Sequence, residues 1–290
     1  AMVSCLVGSE MCIRDRNYPR NVPEAQRKIN DYQLSILDSL DSKGKMSKTF
    51  NFWFFTNGDS RDPETAGILG ALMGSFYALL ICFSFAFPIG LLASVYLEEF
   101  VKPGKITDII EVNINNLAAV PSIVYGLLGL GMLIGVFGMP YQVPLVGGLV
   151  LGFMTLPTII IASRASLRGV PPSIREGALA VGATKMQTVF HHVIPLSLPG
   201  TLTGTIIGMA QALGETAPLL LIGMVAFVME IPGGAFDPAT GLPSQIYLWS
   251  ESAERGFLEK TSAGIMLLLS FLIIMNTVAV LVRRKLEVKW

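Results

Sequence analysis

Arg175-Glu176-Gly177-Ala178-Leu179-Ala180-Val181-Gly182, with the polar run Thr184 to His192 and the Pro195 after it, decides how this chain is read. The stretch lies between long uncharged segments. A structured polar hairpin therefore stands where a membrane protein would have an ordinary loop. Ser173 and Glu176 have the spacing of a capping box, and Thr184 and Gln187 repeat it. Gly182 falls where the first short helix must stop. Met186, Val189, Phe190 and Val193 make an i, i+3, i+4, i+7 apolar stripe on the second. The pattern predicts two short helices joined by a sharp turn, a shape suited to a groove in another protein. The competing reading is an amphipathic surface pair with no partner.

Outward from the hairpin, composition sets the class. Of 290 residues, 52% are hydrophobic and only 14% charged, which is a membrane protein's balance. The runs 67–97, 112–163, 186–214 and 261–282 contain no Asp, Glu, Lys or Arg. A spanning helix needs about 20 such residues. The run 112–163 has room for two, with Gly138-Met139-Pro140 and Pro144 supplying the turn between them. Five spans are expected, at about 68–97, 118–137, 144–163, 200–228 and 262–282, the fourth interrupted by Glu215 and Pro218.

Arg164, Arg168, Arg175 and Lys185 follow the third span, and Arg283, Arg284 and Lys285 follow the fifth. Basic flanks mark the cytoplasmic side, so the hairpin and the C-terminus are both expected there. Arg164 and Arg168 lie four apart on one helical face and read as anchors of this kind. The 230–261 connection then lies outside. An odd number of spans puts residues 17–66 outside too, although no signal peptide or starting helix precedes them. Residues 1–16 read as a non-native leader, and 17–66 as the periplasmic remnant of an N-terminal region that has lost one spanning helix. Within that region, 24–40 has loosely helical apolar spacing, and Asn51-Phe52-Trp53-Phe54-Phe55 reads as an interfacial aromatic stretch.

Several chemistries find no support. Cys5 and Cys12 lie in the leader, and Cys82 sits in a span as a small buried apolar residue, so neither a disulfide framework nor metal-ligand spacing exists. His191 and His192 are adjacent and point apart on a helix. No Gly-x-x-x-x-Gly-Lys-Ser/Thr loop is present, so no ATP site is expected. No triad-like cluster suggests an enzyme. No cofactor and no nucleic-acid partner is expected.

The hairpin resembles the EAA loop of ABC-importer permeases. Glu176, Ala178, Gly182 and Pro195 fall at that family's spacing, while Gly177 replaces its first Ala and His192 its usual Ile. Ala119-Val120-Pro121-Ser122-Ile123-Val124-Tyr125-Gly126-Leu127, Leu156-Pro157-Thr158 and Gly214-Glu215-Thr216-Ala217-Pro218 resemble the phosphate-specific branch, and the last of these its A-type permease subunits. The resemblance covers roughly 67–290. It implies an all-α type I permease fold of six spans, with a transmembrane domain at 67–290 and a cytoplasmic coupling loop at about 164–198. It also implies a heterodimer with a related C-type permease, a dimer of ATP-binding subunits, a periplasmic phosphate-binding protein, and phosphate as cargo within membrane lipid. Arg175, Glu176, Gly177, Ala178, Gly182, Lys185, Phe190 and Pro195 become the candidate ATPase-coupling residues. Two alternatives remain open: a permease for another oxyanion or nutrient, and an ATP-independent channel or secondary transporter.

Glu215 is the only formal charge between Lys185 and Glu230. A carboxylate at membrane depth costs roughly 2.5–3.5 kcal/mol on insertion scales unless it is paired or wet. It is therefore expected to face the pathway or a subunit interface. Gly214 and Pro218 flank it, Pro218 removes a backbone hydrogen bond, and Thr216 adds a hydroxyl. A carboxylate does not attract phosphate, so Glu215 is expected to pair with a basic group across the permease interface. A-type relatives often carry Arg four positions earlier, where this chain has Gln211. Pro121-Ser122 opens the second span, where helix amides would meet an anion or simply be capped. Gln211, Gly214, Glu215, Thr216, Pro218, Pro121 and Ser122 form the candidate pathway set.

Overall fold

Lipid offers no hydrogen bonds to a backbone, so the uncharged runs satisfy theirs internally as helices. The computed structural model describes residues 31–43, 50–225, 227–253 and 255–286. The leader 1–16, all of 17–30 and so part of the expected 24–40 helix lie outside them. Eleven helices are seen among the described residues. They are α1 Asp31–Ser42, α2 Trp53–Thr56, α3 Leu69–Phe100, α4 Lys105–Ala118, α5 Ser122–Val136 and α6 Pro144–Arg168. They continue as α7 Pro172–Ala180, α8 Lys185–Gly214, α9 Ala217–Leu221, α10 Leu242–Glu251 and α11 Arg255–Leu286.

Four of these, α3, α6, α8 and α11, are long and apolar enough to cross a membrane. The pair α4–α5 supplies a fifth candidate, bent by 100° at Ala119-Val120-Pro121. Four of the expected five spans are thus matched by single helices, the other by this bent pair, and two boundaries move. The second begins at Ser122, because Pro121 is extended and ends the preceding helix. The fourth is not 200–228: it starts at Lys185 and stops at Gly214. Pro195 does not interrupt it. A wide π turn at Val189–Val193 ends just before Pro195, and the missing N–H falls where two hydrogen-bonding registers meet.

The central helix is α6, with α3 on one side and α8 on the other. Close approach requires small residues: a Cβ on Gly148 of α6 would lie 2.6 Å from the Ala78 carbonyl of α3. Cys82 is fully buried there and its sulfur lies 3.5 Å from Thr155 Oγ1. The mid-helix core joins Leu79, Tyr125, Val146, Val150, Met209 and Ile222.

Each end of α3 has its own cluster. Near its start, Phe54 packs with Ile68, Leu242, Trp249 and Phe257. The aromatic stretch therefore divides: Phe52 and Trp53 are exposed as an interfacial reading requires, but Phe54 is a core residue. Two polar ties hold the 50–68 segment down. The Trp249 indole N–H donates to Asp59 Oδ1 at 3.0 Å, and Lys260 Nζ donates to the Ala66 carbonyl at 2.8 Å, 5.1 Å from the Phe54 ring centroid. Burial pushes the Asp59 carboxyl above its ordinary value, against the opposing pull of the Gln245 and Trp249 side chains and the Ser60 amide. Gln245 Nε2 lies near without closing a hydrogen bond of its own. At the other end of α3, Val95, Leu167, Val170, Val189 and Val193 form the cluster beneath the hairpin.

Candidate functional site

The hairpin is built from local rules. Pro172 starts α7, its fixed φ suited to a first turn and its absent N–H no loss there. Pro171 occupies the N-cap position with no side-chain cap, so the Ser173–Glu176 box does not form; Ser173 already lies inside the first turn. The helix ends in a Schellman pair. Gly182 N–H reaches the Leu179 carbonyl at 3.0 Å, and Ala183 N–H reaches that of Ala178 at 3.1 Å. Gly182 has φ +91°, a value that disfavours any residue with a Cβ. Thr184 then caps α8 with both bonds of the expected box: Gln187 N–H to Thr184 Oγ1 at 3.3 Å, and Thr184 N–H to Gln187 Oε1 at 2.9 Å.

The apolar stripe on α8 is split rather than continuous. Val189 and Val193 are buried in the cluster below, whereas Met186 and Phe190 are exposed. The π turn rotates the stripe out of helical register, which is why spacing alone misplaces it. Leu179, Val181, Met186 and Phe190 then form an exposed apolar knob, with Val181 86% exposed at its tip. Glu176, Gly177 and Gly182 of the same hairpin are exposed too, and Glu176 makes no ion pair among the described residues. Ala178 is buried, Pro195 is exposed, and Lys185 lies 5.4 Å from the Phe100 ring centroid.

Arg175 does something different. Its guanidinium turns inward, donating from Nη2 to Glu99 Oε1 at 2.6 Å and to the Leu167 carbonyl at 2.9 Å, and from Nη1 to the Val170 carbonyl at 2.6 Å. It pins α7 to the ends of both α3 and α6. Beside it, Arg164 Nε donates to Glu98 Oε2 at 3.3 Å and its Nη2 to Glu111 Oε2 at 3.0 Å; Arg168 Nε donates to Glu98 Oε1 at 2.9 Å. Three carboxylates from α3 and α4 thus meet three guanidiniums from α6 and α7. The sequence reading gave Arg164 and Arg168 an anchoring role and missed these acidic partners. The available signal was Glu98-Glu99 closing an uncharged run, equal in number with Glu111 to the three arginines of the next basic flank.

The second candidate region lies at the far end of α8, about 45 Å away at 1.5 Å per residue. There Glu215 caps the helix in an extended conformation. It is half-buried and makes no ion pair among the described residues. Gln211 and Gly214 are exposed, Thr216 is half-buried, and Pro218 is buried in the first turn of α9. The break packs on α5: a Cβ on Gly126 would lie 2.8 Å from Pro218 Cα. Ser122 lies one turn earlier on α5, and Pro121 is the N-cap of that helix, at the elbow. The hairpin set and the break set do not meet.

Residues 86–288 match the family described as binding-protein-dependent transport system inner membrane component. The "Probable ABC transporter permease protein YqgI" of Bacillus subtilis is 34% identical over 59% of this chain, and the match spans 58% of its own length. "Phosphate transport system permease protein PstA 1" of Mycobacterium tuberculosis is 31% identical over 71% of this chain and 68% of its own. "Phosphate transport system permease protein PstC" of Haemophilus influenzae is also 31% identical, over 71% and 70%. Among solved structures, the inward-facing MetNI methionine ABC transporter superposes with a TM-score of 0.58 at 20% identity, covering 76% of this chain and 97% of that one. That likeness extends to the fold.

Proposed function

The chain belongs to the family of binding-protein-dependent transport system inner membrane components, and from that premise we propose that it is the A-type permease subunit of an ATP-driven phosphate importer. The observation that carries the coupling half is the hairpin: a knob of Leu179, Val181, Met186 and Phe190 beside unpaired Glu176, stapled from behind by Arg175. An apolar knob rimmed by a carboxylate fits a groove on a separate ATP-binding subunit. ATP hydrolysis takes place on two such subunits below the membrane. The basic Arg283-Arg284-Lys285 flank supports a C-terminus on the hairpin's side, in the cytoplasm.

The substrate half rests on Gly214-Glu215-Thr216-Ala217-Pro218 and is supported by two relatives whose names say phosphate transport. Because the A-type and C-type relatives match equally well, the A-type assignment rests on that stretch alone. A C-type permease completes the pathway, and a binding protein delivers phosphate from outside. Closure of the ATP-binding subunits draws the hairpins together and turns the pathway outward, and reopening reverses it. Glu215 pairs across the permease interface and releases during the cycle.

The test is labelled phosphate uptake by this chain with its partner subunits, challenged with excess unlabelled phosphate, sulfate or molybdate. Competition by phosphate alone is expected. Absence of phosphate uptake by the assembled transporter, or uptake that sulfate or molybdate suppresses as well as phosphate does, assigns the chain to a different substrate, and flux without ATP-binding subunits overturns the ATP-driven reading.

A further inference from the structure

The two candidate regions are far apart, yet a continuous set of directional contacts joins them. It begins at Arg175 on α7, which holds Glu99 at the end of α3 at 2.6 Å. The next residue, Glu98, sits in the same π turn, Tyr96–Phe100, and accepts from Arg164 and Arg168 of α6. Arg164 is shared: its other arm holds Glu111 of α4 at 3.0 Å. From α4 the path turns through the 100° elbow, which Tyr125 of α5 braces by donating its hydroxyl to the Leu117 carbonyl at 2.8 Å. One residue on, Gly126 rests against Pro218, three residues past Glu215.

Each joint resists displacement for its own reason. Arg164 is 8% exposed, and the Glu99 side chain 9%, so neither exchanges its partner for water without cost. Arg164 bridges two carboxylates on different helices, so α3 and α4 cannot shift independently of α6. The three-against-three charge balance lets the cluster sit at a membrane boundary without net charge. At Gly126 the backbones touch so closely that α9 must follow α5. By contrast, α4 buries no side chain of its own, so the Glu111–Arg164 pair is its ionic attachment to α6 and the Tyr125 hydrogen bond its tie to α5.

We infer that the Arg175–Glu99 and Glu98–Arg164–Glu111 pairs form a mechanical linkage that carries displacement of the α7 hairpin through the α4–α5 elbow to the helix break at Glu215. This rests on the transport reading above and adds the positioning residues that would make it work. Glu98, Glu99, Glu111 and Arg164 touch neither ATP nor cargo; they act through α5 and α9.

The experiment uses the complete transporter in proteoliposomes and reads phosphate moved per ATP hydrolysed. In Glu99→Gln and Glu111→Gln, hydrolysis persists while phosphate per ATP falls about tenfold, the scale on which network residues alter coupling. The exchange Glu99→Arg with Arg175→Glu restores part of the ratio. Should Glu99→Gln fail to assemble, Glu111→Gln decides, since its carboxylate is 39% exposed and more easily spared. A second readout needs no substrate: the rate at which a thiol reagent labels Ala217→Cys, with and without ATP. ATP changes that rate in the parent and not in the Glu111→Gln background. Unchanged ratios with unchanged labelling overturn the linkage, as does a parallel loss of hydrolysis and transport, which marks a purely structural role. A parent that moves no phosphate but keeps an ATP response sensitive to Glu111→Gln sustains the linkage and refutes the substrate.

Discussion

Four glutamates next to apolar helices meet opposite fates in this molecule. Glu98, Glu99 and Glu111 are each held by an arginine within 3.3 Å. Glu215, half-buried at the end of α8, has no ion pair among the described residues. The first group is satisfied inside one chain and serves to hold helices together. Under the proposed function, the second would be compensated by water in a pathway or a cation on another subunit. The paired set marks where the helices are braced, and Glu215 is the carboxylate that the proposed permease interface would engage.

Arg175→Ala attacks the braced side and carries the largest expected effect. It leaves Glu99 buried without its partner, and removing one member of a buried pair costs about 3–5 kcal/mol. Thermal unfolding in detergent checks this; a loss of under about 1 kcal/mol would place the pair among surface ion pairs of little worth. Gly182→Ala comes next. A Cβ there meets nothing within 4 Å, so the whole cost, about 1–2 kcal/mol, comes from φ +91°. A cost well outside that range would mean the turn relaxes or the added methyl is not free. Glu215→Gln should change the isolated chain's stability by less than about 0.5 kcal/mol, as for a site with no interaction to lose. Uptake by the complete transporter should nonetheless fall. Unchanged uptake would remove Glu215 from the cycle and collapse the contrast between the two groups of carboxylates.

The smallest effect concerns Asp59, a carboxylate between these extremes, hydrogen-bonded but with its pKa raised by burial. A raised folded pKa means the fold disfavours the ionised form. The penalty is therefore present above that pKa and is relieved as pH falls toward the ordinary value near 4. Hydrogen exchange at the Trp249 indole should slow slightly as pH drops from about 6 toward 4, once corrected for intrinsic rates, and Asp59→Asn should flatten the trend. The opposite slope would mean that hydrogen bonds outweigh burial.

What the sequence revealed was local. The Thr184–Gln187 box, the Gly182 stop and the buried Cys82 depend on residues near in sequence or on hydropathy alone, and all three stand as expected. The Ser173–Glu176 box failed through local competition, because Pro171-Pro172 fix the start of α7 two residues too early. The fourth span was misplaced because a π turn carries α8 through Pro195, and no simple period marks such a turn. The ion network joins residues 53 to 76 positions apart, so periodicity could show the arginine face but not its partners. Phe54 looked like its exposed aromatic neighbours; only the fold brings Trp249 to it.

Phosphate uptake by the complete transporter carrying Glu176→Lys tests the central claim most directly, with membrane insertion and subunit assembly of this chain measured alongside. Charge reversal on the exposed face of α7, where Glu176 has no partner within the described chain, should abolish uptake while the folded chain persists. Uptake at the parent's rate would contradict the account, because the hairpin would then not be the surface through which ATP hydrolysis drives transport.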